Sequence, residues 1–190
     1  MRRLLLIASV LVVVFGTVGM ATAADVTFDF EALSSGASST AISAYMTGLY
    51  GSAVTVSATG SPEAEGGFFT LLGPDKYIES EPDRADQAII ITFATPISAV
   101  SFDWGSALDD FYADADGVNF FFDDYNLIKT GSTSFVFATP VYSLSFHDGG
   151  IGEIGIDNLK VTSVPEPGTL VLLGSGLLGL VGYGRKRLKK

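Results

Sequence analysis

Between Asp25 and Val164, short runs in which apolar and polar residues alternate are separated by clusters of Gly, Pro, Asp and Ser. A period of two sends successive side chains to opposite faces of an extended chain. The pattern therefore predicts strands at Val26 to Phe30, Ala53 to Ala58, Phe68 to Leu72, Tyr77 to Glu79, Ala88 to Ala94, Ser98 to Trp104, Gly117 to Asp123, Ser132 to Phe137, Val141 to Phe146 and Ile154 to Val161. In the sixth of these Val100, Phe102 and Trp104 share one face, predicted to be core, while Ala99, Ser101 and Asp103 share the other. Ala41 to Met46, with Ser39 and Thr40 as N-cap candidates, is the one helical stretch, too short to organise a domain. Many strands and almost no helix predict an all-β fold, a jelly-roll-like β-sandwich. One tetrapeptide recurs, Phe93-Ala94-Thr95-Pro96 and Phe137-Ala138-Thr139-Pro140; each copy reads as strand, turn, strand, because proline starts turns and its missing N–H is harmless at the first residue of a strand.

Two apolar stretches break the alternation, one at each end. Arg2 and Arg3 precede the apolar run Leu4 to Phe15, and Ala21-Thr22-Ala23 supplies small residues for cleavage. This is the pattern of a secretory signal peptide, cut after Ala23 or Ala24, with the Sec translocon and signal peptidase as partners; an uncleaved N-terminal anchor is the alternative. At the other end, Pro165-Glu166-Pro167 blocks regular structure. From Gly168 to Gly184 no side chain is charged, and those residues as a transmembrane helix would span roughly 25 Å. Arg185, Lys186, Arg187, Lys189 and Lys190 follow, a cluster that holds its end in the cytoplasm. The predicted organisation is a signal peptide helix at 1–24, an exported domain at 25–163, and a terminal segment at 164–190 made of triplet, membrane helix and basic tail.

The order of Pro165, Glu166 and Pro167, a Gly-rich apolar helix and a terminal basic cluster resembles the PEP-CTERM sorting signal of exported proteins in bacteria that make exopolysaccharide. The resemblance implies that an exosortase, a membrane-embedded cysteine transpeptidase-like enzyme, recognises the triplet and cuts near it. It also implies an inner-membrane-anchored precursor with its domain in the periplasm, then at the cell surface or in the extracellular matrix. The role so implied is structural or adhesive, linked to exopolysaccharide and biofilm, and not enzymatic. A permanent tail anchor preceded by a Pro-rich linker is the competing reading.

Charge narrows the choice of partner. Twenty of the 21 acidic residues but only four of the eleven basic ones, Lys76, Arg84, Lys129 and Lys160, lie between Asp25 and Val164, a net charge of about −16. That argues against nucleic acid or anionic lipid and favours solubility, divalent cations or cationic partners. With no cysteine, burial and a bound cation are the means left for holding an exported domain together. A single histidine, His147, and no Gly-x-Ser-x-Gly elbow leave neither a zinc site nor a serine triad well supplied. Glu31, Glu63, Glu65, Glu79, Glu81 and Glu153 could supply the facing acids of a glycosidase, or be solvated loop carboxylates.

Calcium suits the remaining acidic chemistry, since hard cations take carboxylate and carbonyl oxygens. In the Asp109 to Gly117 loop, Asp114 and Asp116 are candidate ligands, although Tyr112 stands where an EF-hand-like loop needs its first acid. The second place pairs Phe28-Asp29-Phe30-Glu31 in the first strand with Gly155 to Val161 in the last. That pattern looks like the one in carbohydrate-binding jelly-roll modules, where an acid near the first strand and the Asp of an Ile-Asp-Asn motif hold a structural calcium. The resemblance implies Glu31 and Asp157 as ligands; hydrogen bonding of Asp157 and Asn158 to neighbouring backbone is the alternative. For a sugar, Trp104, Tyr112, Tyr125 and Tyr142 are the aromatic candidates, with Trp104 in phase with the core. A calcium-dependent carbohydrate-binding module and a glycoside-processing enzyme therefore stand beside the surface-protein reading.

Overall fold

The computed structural model describes residues 23–58, 63–66, 76–79, 88–107, 110–124, 129–149, 153–164 and 176. Apart from residue 176 these belong to one compact unit, Ala23–Val164. The expected strand at 68–72, Tyr125, Glu81, the triplet Pro165, Glu166 and Pro167, and nearly all of the expected signal-peptide and membrane helices lie outside the described residues. Among the described residues no helix is long and apolar enough to cross a membrane.

Among the described residues there are nine strands and one helix: β1 (Asp25–Phe28), α1 (Ser39–Tyr50), β2 (Val54–Ala58), β3 (Glu63–Gly66), β4 (Lys76–Glu79), β5 (Ala88–Ala107), β6 (Phe111–Ala115), β7 (Val118–Asp123), β8 (Lys129–Asp148) and β9 (Glu153–Ser163). All pairings are antiparallel, in the order β3-β4-β9-β5-β8-β6-β7, with β1 added to β9 and β2 to β5. This is the all-β architecture that the alternation predicts. The connectivity is particular, because a ribbon of β5 and β8 belongs to both halves. The N-terminal half of β5 carries β2 and the C-terminal half of β8 carries β6, while the rest of β5 carries β9. The two halves face each other across the core, since Trp104 on β5 stacks on Phe111 of β6 at 5.1 Å and lies 5.6 Å from Phe121 of β7.

The repeated Phe-Ala-Thr-Pro explains how one ribbon serves both halves. Neither copy closes a turn, contrary to the sequence expectation. Both fall inside twenty-residue strands, opposite each other in the interval between the pairs Thr92↔Ser143 and Ala99↔Val136, where the register shifts. A proline has no N–H to donate to the ladder, so an irregular stretch of ladder accommodates it. The buried side of β5 changes phase there, from Ile89, Ile91, Phe93 and Ile97 to Val100, Phe102 and Trp104. Thr92 to Ala99 and Val136 to Ser143 span the same number of positions, so the irregularity turns the ribbon and the ladder resumes in its earlier register.

Two further elements differ from the expectation. The Asp109 to Asp116 loop is in large part strand β6, with Phe111, Ala113 and Ala115 buried and Tyr112 and Asp114 outward. Asp116 and Gly117, at φ 47° and 77°, join it to β7 in the two-residue turn that hairpins favour. Helix α1 is twelve residues long, closed by Gly51 at φ 76° with its N–H on the Thr47 carbonyl. Tertiary bonds lengthen it. Ile42 and Met46 are buried, and the Ser43 and Thr47 hydroxyls accept the N–H groups of Val56 and Val54 at 2.7 and 2.9 Å. The outer edge of β2 is thereby covered by the helix, one of the ways an exposed sheet edge is kept from pairing.

Candidate functional site

A cleft of about 540 Å³ opens where β7 and the middle of β8, from Phe135 to Val141, come together. Phe120 from β7 meets Phe135 and Phe137 from β8 with ring centroids 5.2 to 5.3 Å apart. Phe120 reaches it because β6 and β7 shift register between Ala113 and Asp114. The cleft is apolar and open, with Phe135 41 % exposed and Val136 76 %. No charged residue occurs from 132 to 143. Among the described residues, no strand pairs with that part of β8 on the side away from β5. Asp116 fixes the far wall: its carboxylate accepts the N–H of Tyr142 at 3.0 Å and both the N–H and hydroxyl of Ser143, at 2.8 and 3.1 Å. Rings, methyl groups and few polar atoms suit an apolar partner.

On the outer face of the same half, register places Phe122, Tyr112 and His147 in one row across β7, β6 and β8. His147 stacks on Tyr112 at 5.0 Å with planes 4° apart, and Tyr112 lies 4.7 Å from Phe122. Oxygen atoms face both imidazole nitrogens, Asp114 Oδ2 at Nε2 and the Asp148 carbonyl at Nδ1, each at 3.0 Å. Asp114 also accepts from Asn119 Nδ2 at 3.1 Å.

The other half presents a shallow polar depression of about 620 Å³, lined by Thr27, Ser101, Asp103, Ser132, Ser134, Asn158 and Lys160. Asp103 is its hub, accepting from the Ser132 hydroxyl and, at 2.9 Å, from Asn158 Nδ2.

The first and last strands do lie side by side, from Asp25↔Thr162 to Phe28↔Leu159. Of the two acids expected beside them, Asp157 is 2 % exposed and accepts the Asn158 N–H at 2.6 Å, in a bulge where Asn158 has φ 47°. Glu31 follows Asp29, whose Oδ1 takes the Glu31 N–H at 3.4 Å and the Tyr45 hydroxyl at 2.7 Å. Burial first, then this bond to Asp29, push the Tyr45 hydroxyl up to about 12. Among the described residues, no three His, Asp or Glu side chains gather where a metal could be held. Asp114 and Asp116 are engaged separately, with His147 and with β8. Trp104 is core, as its phase with Val100 and Phe102 predicts. Tyr112 and Tyr142 lie towards the surface. The three phenylalanines of the cleft were not singled out by alternation. Their signal is the pair of unbroken apolar runs Phe120-Phe121-Phe122 and Phe135-Val136-Phe137-Ala138, which a strand with one wet face does not carry.

Both ends of the body meet at one place. The Ser163 N–H donates to the Ala24 carbonyl and the Val164 N–H to the Pro96 carbonyl, both at 2.9 Å. Asp25 accepts the Lys160 ammonium at 2.7 Å and the Thr162 hydroxyl at 2.8 Å. Those two bonds, Lys160 first, hold its carboxyl below the ordinary 3.8, so this attachment is complete above that pH and is lost as acid protonates the group.

The sorting signal begins at this junction. Residues 163–187 match the family model of the PEP-CTERM protein-sorting motif, and the chain carries that motif. The motif implies an exported, membrane-anchored precursor processed by an exosortase. No curated protein matches the sequence. Similar solved structures include a tyrosine-to-alanine variant of the family 29 carbohydrate-binding module CBM29-2, 13 % identical over 75 % of this chain and 92 % of that one, with a TM-score of 0.43. Another variant of the module, complexed with mannohexaose, is 12 % identical over 74 % and 92 % with a TM-score of 0.44. A further family 29 module is 12 % identical over 74 % and 89 %, at 0.43. Likeness at this level says nothing about what this body binds.

Proposed function

We propose that the chain is the precursor of a surface or extracellular-matrix protein. Its acidic β body is exported, held at the inner membrane by the C-terminal segment, and released or transferred by an exosortase acting near Pro165, Glu166 and Pro167. The work of the mature body is structural or adhesive. It contributes an aromatic cleft whose one carboxylate, Asp116, is engaged by Tyr142 and Ser143, on a body of net charge about −16, so contacts there rest on apolar surface and meet less repulsion than elsewhere. The observation that carries this reading is the sorting motif at residues 163–187, starting on Ser163, the last residue of β9.

The test is to express the chain and its Glu166→Ala variant in a bacterium that has an exosortase, then compare product size and fractionation. The chain with Glu166 is expected as a shortened product away from the inner membrane, and the variant as a full-length, membrane-bound one. Identical processing of the two would overturn the reading.

A further inference from the structure

The sorting triplet has no linker in front of it. Strand β9 runs to Ser163, Val164 is bonded to Pro96, and Pro165 is the next residue. On one side the strand end is held by β1, through Asp25↔Thr162 and the Ser163 bond to Ala24. On the other it is held by β5, through Ile97↔Ser163 and Ala99↔Thr162. Enzymes that take a peptide in extended form bind it through its backbone N–H and C=O groups. Here the N–H groups of Ser163 and Val164, immediately before the triplet, are already committed to the body. Three residues of triplet reach roughly 10 Å at most, so an extended cleft that holds the triplet near its middle also takes residues that precede it.

We infer that the segment Thr162–Val164 is part of the site the processing enzyme takes, and that it must leave β1 and β5 before the chain is cut. This rests on the reading that the triplet is processed. The structure makes such opening local. β1 has four residues and only Phe28 is buried, so its start at Ala24 and Asp25 can separate from β9 while the core at Phe28, Leu159 and Val161 stays closed. Short, exposed edge pairings are where proteins open at low free energy. The folded state of the exported body thereby sets how often the triplet is presented, and β1, which exists as a free end only after the signal peptide is removed, is the latch.

A reversible staple tests this. Asp25 and Thr162 are Cα partners next to the hydrogen-bonded Ala24–Ser163 pair, which makes theirs the close, non-hydrogen-bonded kind of pair whose spacing suits a disulfide. The chain has no other cysteine to interfere. In membranes containing the exosortase, the Asp25→Cys/Thr162→Cys precursor is compared oxidised and reduced. A second version carries Gly-Ser-Gly-Ser inserted between Val164 and Pro165. Expected are cutting of the oxidised form at least about tenfold slower than of the reduced form, in proportion to the lost open population, and recovery of cutting in the oxidised form by the insertion. Equal cutting of the oxidised and reduced forms, or a block that the insertion does not relieve, overturns the latch. If the unsubstituted chain is cut no more than its Glu166→Ala variant, the processing reading itself fails, and the latch with it.

Discussion

Replacing Phe102 with alanine is expected to lower the unfolding free energy of the body by about 3–5 kcal/mol, the range for removing a large aromatic side chain from a packed interior. Phe102 is 2 % exposed and stands where the two halves of the fold meet. Its ring, carried by β5, lies 4.9 Å from Phe146, 6.1 Å from Phe111, 6.4 Å from Phe121 and 6.5 Å from Phe120, so β6, β7 and β8 all pack on it. The neighbours belong to separate strands and cannot close together over the lost volume without moving the sheet. A small domain has about 5–15 kcal/mol in total, so the variant should be close to unfolding at ambient temperature. Urea unfolding followed by tryptophan fluorescence reads the change, because Trp104 stacks on Phe111 in the same cluster. A midpoint shift of less than 1 kcal/mol equivalent, on the order of a surface substitution, would mean that the halves are not packed on Phe102.

The second large effect concerns the sheet edge under the helix. Changing Ser43 and Thr47 together to alanine should cost about 2–6 kcal/mol, since each removes the partner of a partly buried backbone N–H, Val56 and Val54 respectively, at about 1–3 kcal/mol apiece. Ser43 also donates to the Ser39 carbonyl at 2.7 Å and Thr47 to the Val54 carbonyl at 3.1 Å, so both hydroxyls join helix to strand. Each single variant should show close to half of the loss. Sedimentation velocity should then reveal association of the double variant, because an uncovered strand edge pairs with other copies. Unchanged stability together with a monomeric double variant would show that the helix covers β2 by packing alone.

Legibility from sequence followed how local each cause was. Val100, Phe102 and Trp104 could be placed in the core because alternation is a property of neighbours along the chain, and burial agrees. The sorting signal was legible because triplet, apolar run and basic cluster are contiguous, and residues 163–187 match the motif. The pairing of first and last strands was expected, and β1 lies on β9. Pro96 and Pro140 misled, because turn chemistry and a bend inside a long ribbon ask the same thing of a proline, a place where no ladder bond is needed. Strand β6 was hidden behind Asp110, Asp114 and Asp116, whose charges read as loop although Phe111, Ala113 and Ala115 keep a strand's period. The reach of α1 to Tyr50 depends on contacts far along the chain, Thr47 with Val54 and the Tyr50 hydroxyl with Thr95 at 2.9 Å. Of the aromatic cleft the sequence carries only the unbroken apolar runs Phe120 to Phe122 and Phe135 to Ala138, because the meeting of Phe120 with Phe135 and Phe137 is a contact between β7 and β8.

Processing at the two ends of the chain can be weighed. Intact mass spectrometry of the product found outside the inner membrane should give a chain that begins at Ala24 or Asp25 and ends at or near the Pro165–Pro167 triplet, without the apolar run and the basic cluster. A mass that still includes the residues through Lys190 would contradict a precursor that is cut free of its tail.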